Sequence, residues 1–299
     1  MLSRISTRTT AMTSLANLQT NQSRNQRLQE QITSGKSIAK GSDNPVAAGE
    51  ALRTRAEIAA TEQHLRNNAD GRTWLTVQEG ALDGALDGLQ TARSRAVQAA
   101  STGTLDASAR KGIAAELRAI RDNLLGAANT EHLGRPVFAG AKAGVSEAYS
   151  ATGAYQGDGN AISRTVAPGV DVQVNVPGST AFGSGTTASA NTFVALDELI
   201  AAVDAGDAGA ITAGIGTIDA GLDRVKGALA TIGARSNQLT ALQDTTEARA
   251  VHLSATLEDV EGVDMAKAMV EFSLQNTSYQ AALAATAKVI QPTLLDFLA

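Results

Sequence analysis

The residues Ser34 to Ser37 (SGKS) resemble the end of a phosphate-binding loop. Such a loop needs a second glycine five residues before Gly35, so that backbone amides can wrap the phosphate. Glu30 occupies that position, and no hydrophobic strand precedes the motif. We therefore predict no nucleotide site here.

Side chains that bind metals or act as nucleophiles are sparse. The chain has no cysteine, which excludes thiolate catalysis and Cys-ligated metal centres. We expect His64, His132 and His252 in separate helical segments, as surface side chains. Residues 157–160 (GDGN) lack the spaced acidic series of a calcium loop, and we predict a hairpin turn there. No serine-histidine-aspartate arrangement is present. We predict no catalytic, cofactor-binding or metal-binding residue, and no enzyme.

Opposite charges are concentrated at the two ends of the chain. Residues 1–29 contain four arginines and no acid, whereas residues 258–299 contain six acids and two lysines. Four spaced arginines without interleaved aromatics make a poor nucleic-acid surface, so we expect no nucleic-acid partner. Complementary ends that meet, within one chain or between chains, fit this pattern better.

The N-terminal segment is helical in pattern but too polar to fold alone. Of its first 34 residues, 19 are Ser, Thr, Asn or Gln, and only a weak apolar stripe runs along it. Such a helix needs a partner. Ser42 or Asp43 should start the next helix, with Pro45 in its first turn.

Long amphipathic helices fill most of the remaining chain. Residues 46–128 predict two helices broken near 101–106, with Leu75, Leu82, Leu86, Leu89 and Val97 on one face. Residues 210–260 predict one very long helix whose five glycines allow close packing. A last stripe runs from residue 265 to residue 297. No apolar run is long enough for a membrane span, so we expect no membrane insertion.

Between these helices lies a segment of different texture. Residues 134–190 are rich in Gly, Ser, Thr and Val, and valines alternate with polar residues from 170 to 176. That alternation predicts a half-buried strand, bounded by the Pro-Gly pairs at 168–169 and 177–178. The segment is predicted to be a small β insert.

Four polar residues, Gln22, Asn25, Asn276 and Thr286, lie at or near stripe positions of the terminal helices. Polar groups in a helical seam cost stability but specify register and partner. Simple exposure is the alternative.

Several motifs together resemble the bacterial flagellins and their relatives. They are residues 34–45 (SGKSIAKGSDNP), 78–82 (QEGAL), 233–239 (GARSNQL) and 257–265 (LEDVEGVDM). Within that family, three further segments resemble the subunits at the junction of hook and filament. They are residues 134–140 (GRPVFAG), the insert segments 155–160 and 172–178, and the ending at 279–283 and 294–298.

The resemblance implies a structural subunit of the flagellum that forms the junction layer between hook and filament. Its partners would be a ring of like subunits, hook-associated protein 1, flagellin, and an export chaperone at the C-terminal helix. It also implies an extracellular protein that leaves through the flagellar export apparatus, which fits an N-terminus without the apolar segment of a cleaved signal peptide. Filament flagellin is the alternative, and a secreted adhesin or carbohydrate-active protein on the β insert is a third.

We expect a mainly α fold with a small β insert, an elongated flagellin-like bundle of long helices from both chain ends, with terminal arms that form a coiled coil. The arms would be residues 1–33 and 262–299, the long-helix rod residues 45–130 and 192–261, and the insert residues 134–190. The predicted assembly interface lies on the arms. It comprises Ile5, Met12, Leu15, Leu18, Arg24, Arg27, Leu28, Ile32, Met265, Met269, Phe272, Asn276, Tyr279, Leu283, Ile290 and Phe297.

Overall fold

The computed structural model describes residues 2–101, 106–142 and 144–290. Its helices are α1 Leu2–Ser34, α2 Pro45–Ser101, α3 Ala107–Ala128, α4 Gly178–Ala181, α5 Thr192–Ala205, α6 Ala208–Glu261 and α7 Met265–Ile290. The strands are β1 Glu131–His132, β2 Arg135–Pro136, β3 Ser163–Ala167 and β4 Val170–Gln173. The mainly α fold with a small β insert is confirmed.

The chain divides into two compact units. One contains residues up to Ala60 together with those from Ala250 onward, and the other runs from Thr61 to Arg249. The first unit is therefore built from both ends of the sequence, while the second is continuous.

Short polar residues set the helix ends. Asp106 accepts a hydrogen bond from the backbone N–H of Ala109 at 2.7 Å and so caps α3, after the predicted break. The start of α2 differs from the prediction: Asn44, rather than Ser42 or Asp43, accepts from the N–H of Ala47 at 3.1 Å. Asp43 instead binds the N–H of Lys40 within the preceding turn.

Helices α2, α3, α5 and α6 enclose the core of the second unit. Leu82 and Leu89 of α2, Leu117 of α3, Leu199 of α5 and Ile218 of α6 are all fully buried in one hydrophobic cluster. The helices are also joined by ion pairs at the rim, such as Arg121 to Asp197 at 2.9 Å and Arg95 to Glu116 at 2.6 Å. The Arg95–Glu116 pair is exposed on both sides, and exposed pairs add little to stability, so the apolar core carries most of the packing.

Two details of the predicted stripes differ from the structure. Val97 is 41% exposed, and the small side chains of Ala92 and Ala96 are buried instead. Of the α6 glycines, Gly214 packs so closely that an added Cβ would lie 2.9 Å from Leu199 Cδ1, whereas Gly216 has open space around it. Close approach therefore explains only part of the glycine content of α6.

The insert is a hairpin with a loop-rich extension. Strands β3 and β4 pair antiparallel through the predicted Pro168–Gly169 turn, where Gly169 has a φ of 71°. The strand ends at Gln173, short of the predicted residue 176, because the N–H of Val176 binds the side chain of Gln78 rather than a neighbouring strand. Val174 and Val176 are nevertheless buried.

Two predictions about the insert region were wrong. His132 lies on strand β1, not on a helix, with its ring edge-on to Trp74 at 5.6 Å between centroids. Residues 157–160 form a loop rather than a hairpin turn: Asp158 accepts from the N–H of Ala141 at 2.7 Å and ties this loop to the segment after β2.

Aromatic rings form the centre of the insert. The ring of Tyr149 contacts those of Tyr155, Phe182 and Phe193, and Phe138 packs edge-on against Phe182. The Tyr149 hydroxyl donates to the carbonyl of Gly183 at 2.6 Å. Burial raises the pKa of Tyr149, and burial likewise raises the pKa of Tyr155 to about 12. Both rings therefore stay neutral at physiological pH, which suits this apolar centre.

Candidate assembly interface

The first unit is a pair of terminal helices on a common base. Helices α1 and α7 pack against each other, and the base contains residues 35–44, the first turns of α2 and the last turns of α6. All the sequence-predicted interface residues belong to α1, α7 or the segment after α7.

Helices α1 and α7 run antiparallel. The side-chain amide of Gln275 donates to Asn21 Oδ1 at 3.2 Å, and the N–H of Val263 donates to the carbonyl of Gly35 at 3.1 Å. Residue numbers thus rise along α7 as they fall along α1. The pair is formed by the two ends of the sequence.

The contact between α1 and α7 has the spacing of a coiled coil. The half-buried or buried positions alternate in steps of four and three on both helices, as in a heptad seam. On α1 they are Ser14, Leu18, Asn21, Asn25, Leu28 and Ile32, and on α7 they are Ala268, Phe272, Gln275, Tyr279, Ala282 and Thr286.

The structure brings some of the predicted interface residues into this seam and leaves others at the surface. Leu18, Leu28, Ile32, Phe272 and Tyr279 lie in the seam. The exposed ones are Met12, Leu15, Arg24, Arg27, Met265, Met269, Asn276 and Leu283. Ile5 and Ile290 lie on α1 and α7, and Phe297 lies outside the described residues.

Polar and small seam residues were missed because the predicted stripes followed hydrophobicity. Asn21 and Gln275 make the hydrogen bond between the helices, and Ala268 is the most buried residue of α7, at 4% exposure. The available signal was the four-three spacing itself, read without regard to polarity.

Of the four polar residues predicted for the seam, two lie there. Asn25 is half-buried, and its Oδ1 has no hydrogen-bond partner among the described residues. Thr286 is also half-buried, but its hydroxyl bonds to the carbonyl of Ala282 in its own helix. Gln22 and Asn276 are exposed. An unsatisfied buried acceptor weakens the isolated pair.

Opposite charges of the two arms lie near each other without a close ion pair between residues 12–33 and 262–287. Arg24, Arg27 and Glu271 line one groove of about 460 Å³ between α1 and α7. Neither arginine forms an ion pair with a carboxylate in the described part of the chain. The positive charges of Arg24 and Arg27 are therefore open to other partners.

Much apolar surface of the arms also faces solvent. Met12 is 61% exposed, Met269 57%, Val270 69% and Leu274 68%. The α1–α7 seam covers only one face of each helix, because the exposed residues fall on other faces. Exposed apolar side chains of this number on two adjacent helices are typical of a surface that is covered in an assembly.

A second set of contacts closes the base of the arms. Residues 35–37 pair with residues 261–263 through an antiparallel bridge between Lys36 and Gly262. We call these two paired segments the arm base. The carboxylate of Glu261 contacts both Lys36 and Arg55 there. A groove of about 620 Å³ lies beside it, with Ile38, Ala51 and Leu52 among its lining residues.

Two features associated with other protein classes are missing from residues 2–101, 106–142 and 144–290. No cluster of three or more His, Cys, Asp or Glu side chains could hold a metal ion. Likewise, none of these helices has the length and apolar character to cross a membrane.

Two protein-family models match this chain, one in its N-terminal part and one in its C-terminal part. The model of the bacterial flagellin N-terminal helical region matches residues 5–143. The model of the bacterial flagellin C-terminal helical region matches residues 215–298. Together they include both terminal helices and most of the long ones.

Individual relatives match along most of the chain. Flagellar hook-associated protein 3 of Salmonella typhimurium is 26% identical over 299 aligned residues, covering 93% of this chain and 94% of that protein. Flagellin of Bacillus subtilis is 29% identical and covers 96% of both. The crystal structure of hook-associated protein 3 from Legionella pneumophila has a TM-score of 0.61 at 18% identity, covering 70% of this chain and 98% of that one.

Proposed function

Because this chain belongs to the bacterial flagellin family, we propose that it is a subunit of the junction layer between the hook and the filament of the bacterial flagellum. The family consists of structural flagellar proteins and is not a family of enzymes. The proposal therefore concerns assembly, and the surfaces that carry it are those of helices α1 and α7.

The choice of the junction is supported by the similarity to solved hook-associated proteins. The structure of a putative flagellar hook-associated protein from Vibrio parahaemolyticus has a TM-score of 0.68 at 25% identity, covering 74% of this chain and 100% of that one. The motifs at residues 134–140 and 155–160 support the same choice.

The terminal arms, residues 1–33 and 262–299, are proposed to join like subunits into a ring. The exposed Met12, Met269 and Leu274 offer apolar area to neighbours. The unpaired Arg24 and Arg27 offer positive charge to the acids of an adjacent subunit. Residues 45–130 and 192–261 would serve as the helical body, and residues 134–190 as an insert outside the ring contacts.

The ring would contact different proteins on its two sides. We propose hook-associated protein 1 on the hook side and flagellin on the filament side. Export through the flagellar apparatus, without a cleaved signal peptide, would precede assembly, with a chaperone covering the C-terminal helix until then. The exposed apolar residues of α7 support a need for such cover.

Filament flagellin is the second candidate. The 29% identity to flagellin of Bacillus subtilis over 96% of the chain favours it. The two candidates differ in copy number along the flagellum: a filament contains many stacked layers of subunits and a junction contains one short layer. An adhesin or carbohydrate-active protein is disfavoured, since the two family models that match this chain both describe flagellin helical regions.

Labelling of the protein on intact cells distinguishes these candidates. A small epitope tag can be placed at the exposed β3–β4 turn near Gly169, which belongs to the second unit and not to the arms. We expect a single labelled point between hook and filament. Label along the whole filament would identify flagellin instead. A strain without the gene should carry hooks, lack filaments and release flagellin into the medium.

A further inference from the structure

Glu261, the last residue of α6, is a buried carboxylate that contacts two cations from the other end of the chain. Its side chain is 9% exposed, and Oε2 lies 2.7 Å from Arg55 Nη2 and 3.3 Å from Lys36 Nζ. Lys36 precedes α2 and Arg55 lies within it. One carboxylate thus connects three segments, two of them more than 200 positions away in the sequence.

The backbone of Glu261 makes a second connection to the same place. Its carbonyl accepts from the N–H of Ser37 at 2.7 Å and from the Ser37 hydroxyl at 3.1 Å. The side chain of Gln31, on α1, donates to the carbonyl of Ser37 at 2.9 Å. The end of α6 is therefore bonded to the segment that follows α1.

The turn after Glu261 requires a residue without a side chain. A Cβ at Gly262 would lie 2.4 Å from the carbonyl oxygen of Glu258, which accepts the N–H of Gly262 at 2.6 Å. This tight turn places Val263 where its N–H reaches the carbonyl of Gly35. The geometry of the arm base thus depends on residues 261 and 262 together.

Of the three charged groups in this contact, the carboxylate of Glu261 is buried and the two cations are partly exposed. Lys36 and Arg55 keep 47% and 45% of their side chains exposed, so each cation alone stays solvated. A buried carboxylate without a cationic partner strongly destabilises the folded state, whereas replacement of all the charges by uncharged side chains destabilises it much less. Glu261 should therefore stay in place only while its cations are present.

We propose that Glu261 is a latch that ties residues 35–37 to the turn between α6 and α7. The latch is a positioning device. It holds residues 35–37, which follow α1, against residues 261–263, which precede α7, so that neither segment separates from the arm base without the other. This inference concerns the chain itself, and it holds whether the subunit lies at the junction or in a filament.

Hydrogen exchange measured by mass spectrometry on the full-length chain tests the latch. The first variant carries Lys36→Met and Arg55→Met, which leaves Glu261 buried without a cation. The second adds Glu261→Gln to these two changes and removes the buried charge. The reporting peptides span residues 35–60 and 250–263, and peptides from residues 211–239 show whether the second unit remains folded.

We expect exchange in the reporting peptides to speed up by about tenfold or more in the double variant, and most of that loss to be recovered in the triple variant. A residue with a merely space-filling role would not give this recovery. Matched controls are Arg53→Met and Glu258→Gln, exposed neighbours with no ion pair in the described ranges. Neither control should change exchange.

Two results would overturn the latch. One is a triple variant that exchanges as fast as the double variant. Removal of the Glu261 charge would then restore nothing, so the buried charge would not be the cause of the faster exchange. The other is a double variant that matches Arg53→Met. If the double variant fails to fold, the same criterion applies to folding: a triple variant that folds supports the latch, and one that also fails contradicts it.

Discussion

Gln78 joins helix α2 to the insert through three hydrogen bonds to the insert backbone. It is fully buried, its amide donates to the carbonyls of Val137 at 2.7 Å and Val176 at 2.9 Å, and its Oε1 accepts the N–H of Val176 at 2.9 Å. Three backbone groups of the insert therefore depend on one side chain. Without it they would be buried and unpaired.

Substitution Gln78→Ala should lower the free energy of unfolding by about 2–4 kcal/mol, because a cavity and unpaired backbone groups add together. Urea unfolding of the purified chain measures this. The adjacent, exposed Glu79→Ala is the matched control and should change stability by about 0.5 kcal/mol or less. An equal loss in both variants would show that the insert does not depend on Gln78.

Arg24 and Arg27 test the role of charge at the arms. Exposed ion pairs contribute about 0–1 kcal/mol each and are screened by salt. Reversal of both arginines to Glu should therefore weaken assembly, and most strongly at low ionic strength. Light scattering of assembling subunits across a salt series measures the effect.

A matched control for this charge reversal is Lys111→Glu on α3, which changes an exposed cation far along the sequence from either arm. We expect it to leave assembly unchanged at every salt concentration. If the arginine variant loses the same amount of assembly at low and high salt, packing rather than charge pairs the subunits.

At the scale of elements, helices α1 and α7 depend on each other. Each has half-buried seam positions at four-three spacing, and a hydrogen bond between their side chains joins Asn21 to Gln275. Neither helix is apolar enough to fold alone, because three of the six seam positions on α1 are polar. Removal of one therefore leaves the other without a partner.

We predict that deletion of residues 1–33, or of residues 266–299, abolishes incorporation into the flagellum while the second unit stays folded. Incorporation is scored by recovery of filaments in a strain without the gene. Circular dichroism of the purified truncated chains checks that residues 61–249 keep their helices. A truncated chain that still restores filaments would show that the arms do not carry assembly.

At the scale of the whole molecule, the free subunit should be folded in its middle and open at its ends. With 19 of the first 34 residues Ser, Thr, Asn or Gln, the seam buries too little apolar area to offset an ordering entropy of about 1–2 kcal/mol per residue. Neighbouring subunits would supply the missing contacts, so the arms should order on assembly.

Brief protease treatment of the dilute monomer should therefore trim both ends, to near Gly35 and near Gly262, and spare the chain between them. Mass spectrometry of the resistant fragment gives the two cut positions. The opposite result is equally clear: if hydrogen exchange protects residues 12–30 as strongly as residues 215–232 in the dilute monomer, the arms are folded before assembly.

The sequence alone determined the long helices, the break after α2, one strand of the β insert and the family. Long helices have a strong 3.6-residue pattern, as in Leu82, Leu89, Ile218 and Leu222, and this pattern is local to the chain. Motifs such as residues 34–45 and 233–239 identify the family for the same reason: each is contiguous. The predicted interface residues on α1 and α7 remain a prediction.

Only the tertiary structure decided which faces of the arms meet and how their base closes. The seam uses Asn21, Gln275 and Ala268, which no hydrophobic pattern selects because their burial depends on the partner helix. Glu261 was counted from the sequence only as one acid among six. It contacts Lys36 and Arg55 because the end of α6 packs beside the segment before α2 and the first turns of α2. Contacts between positions so distant in the sequence leave no trace in local periodicity.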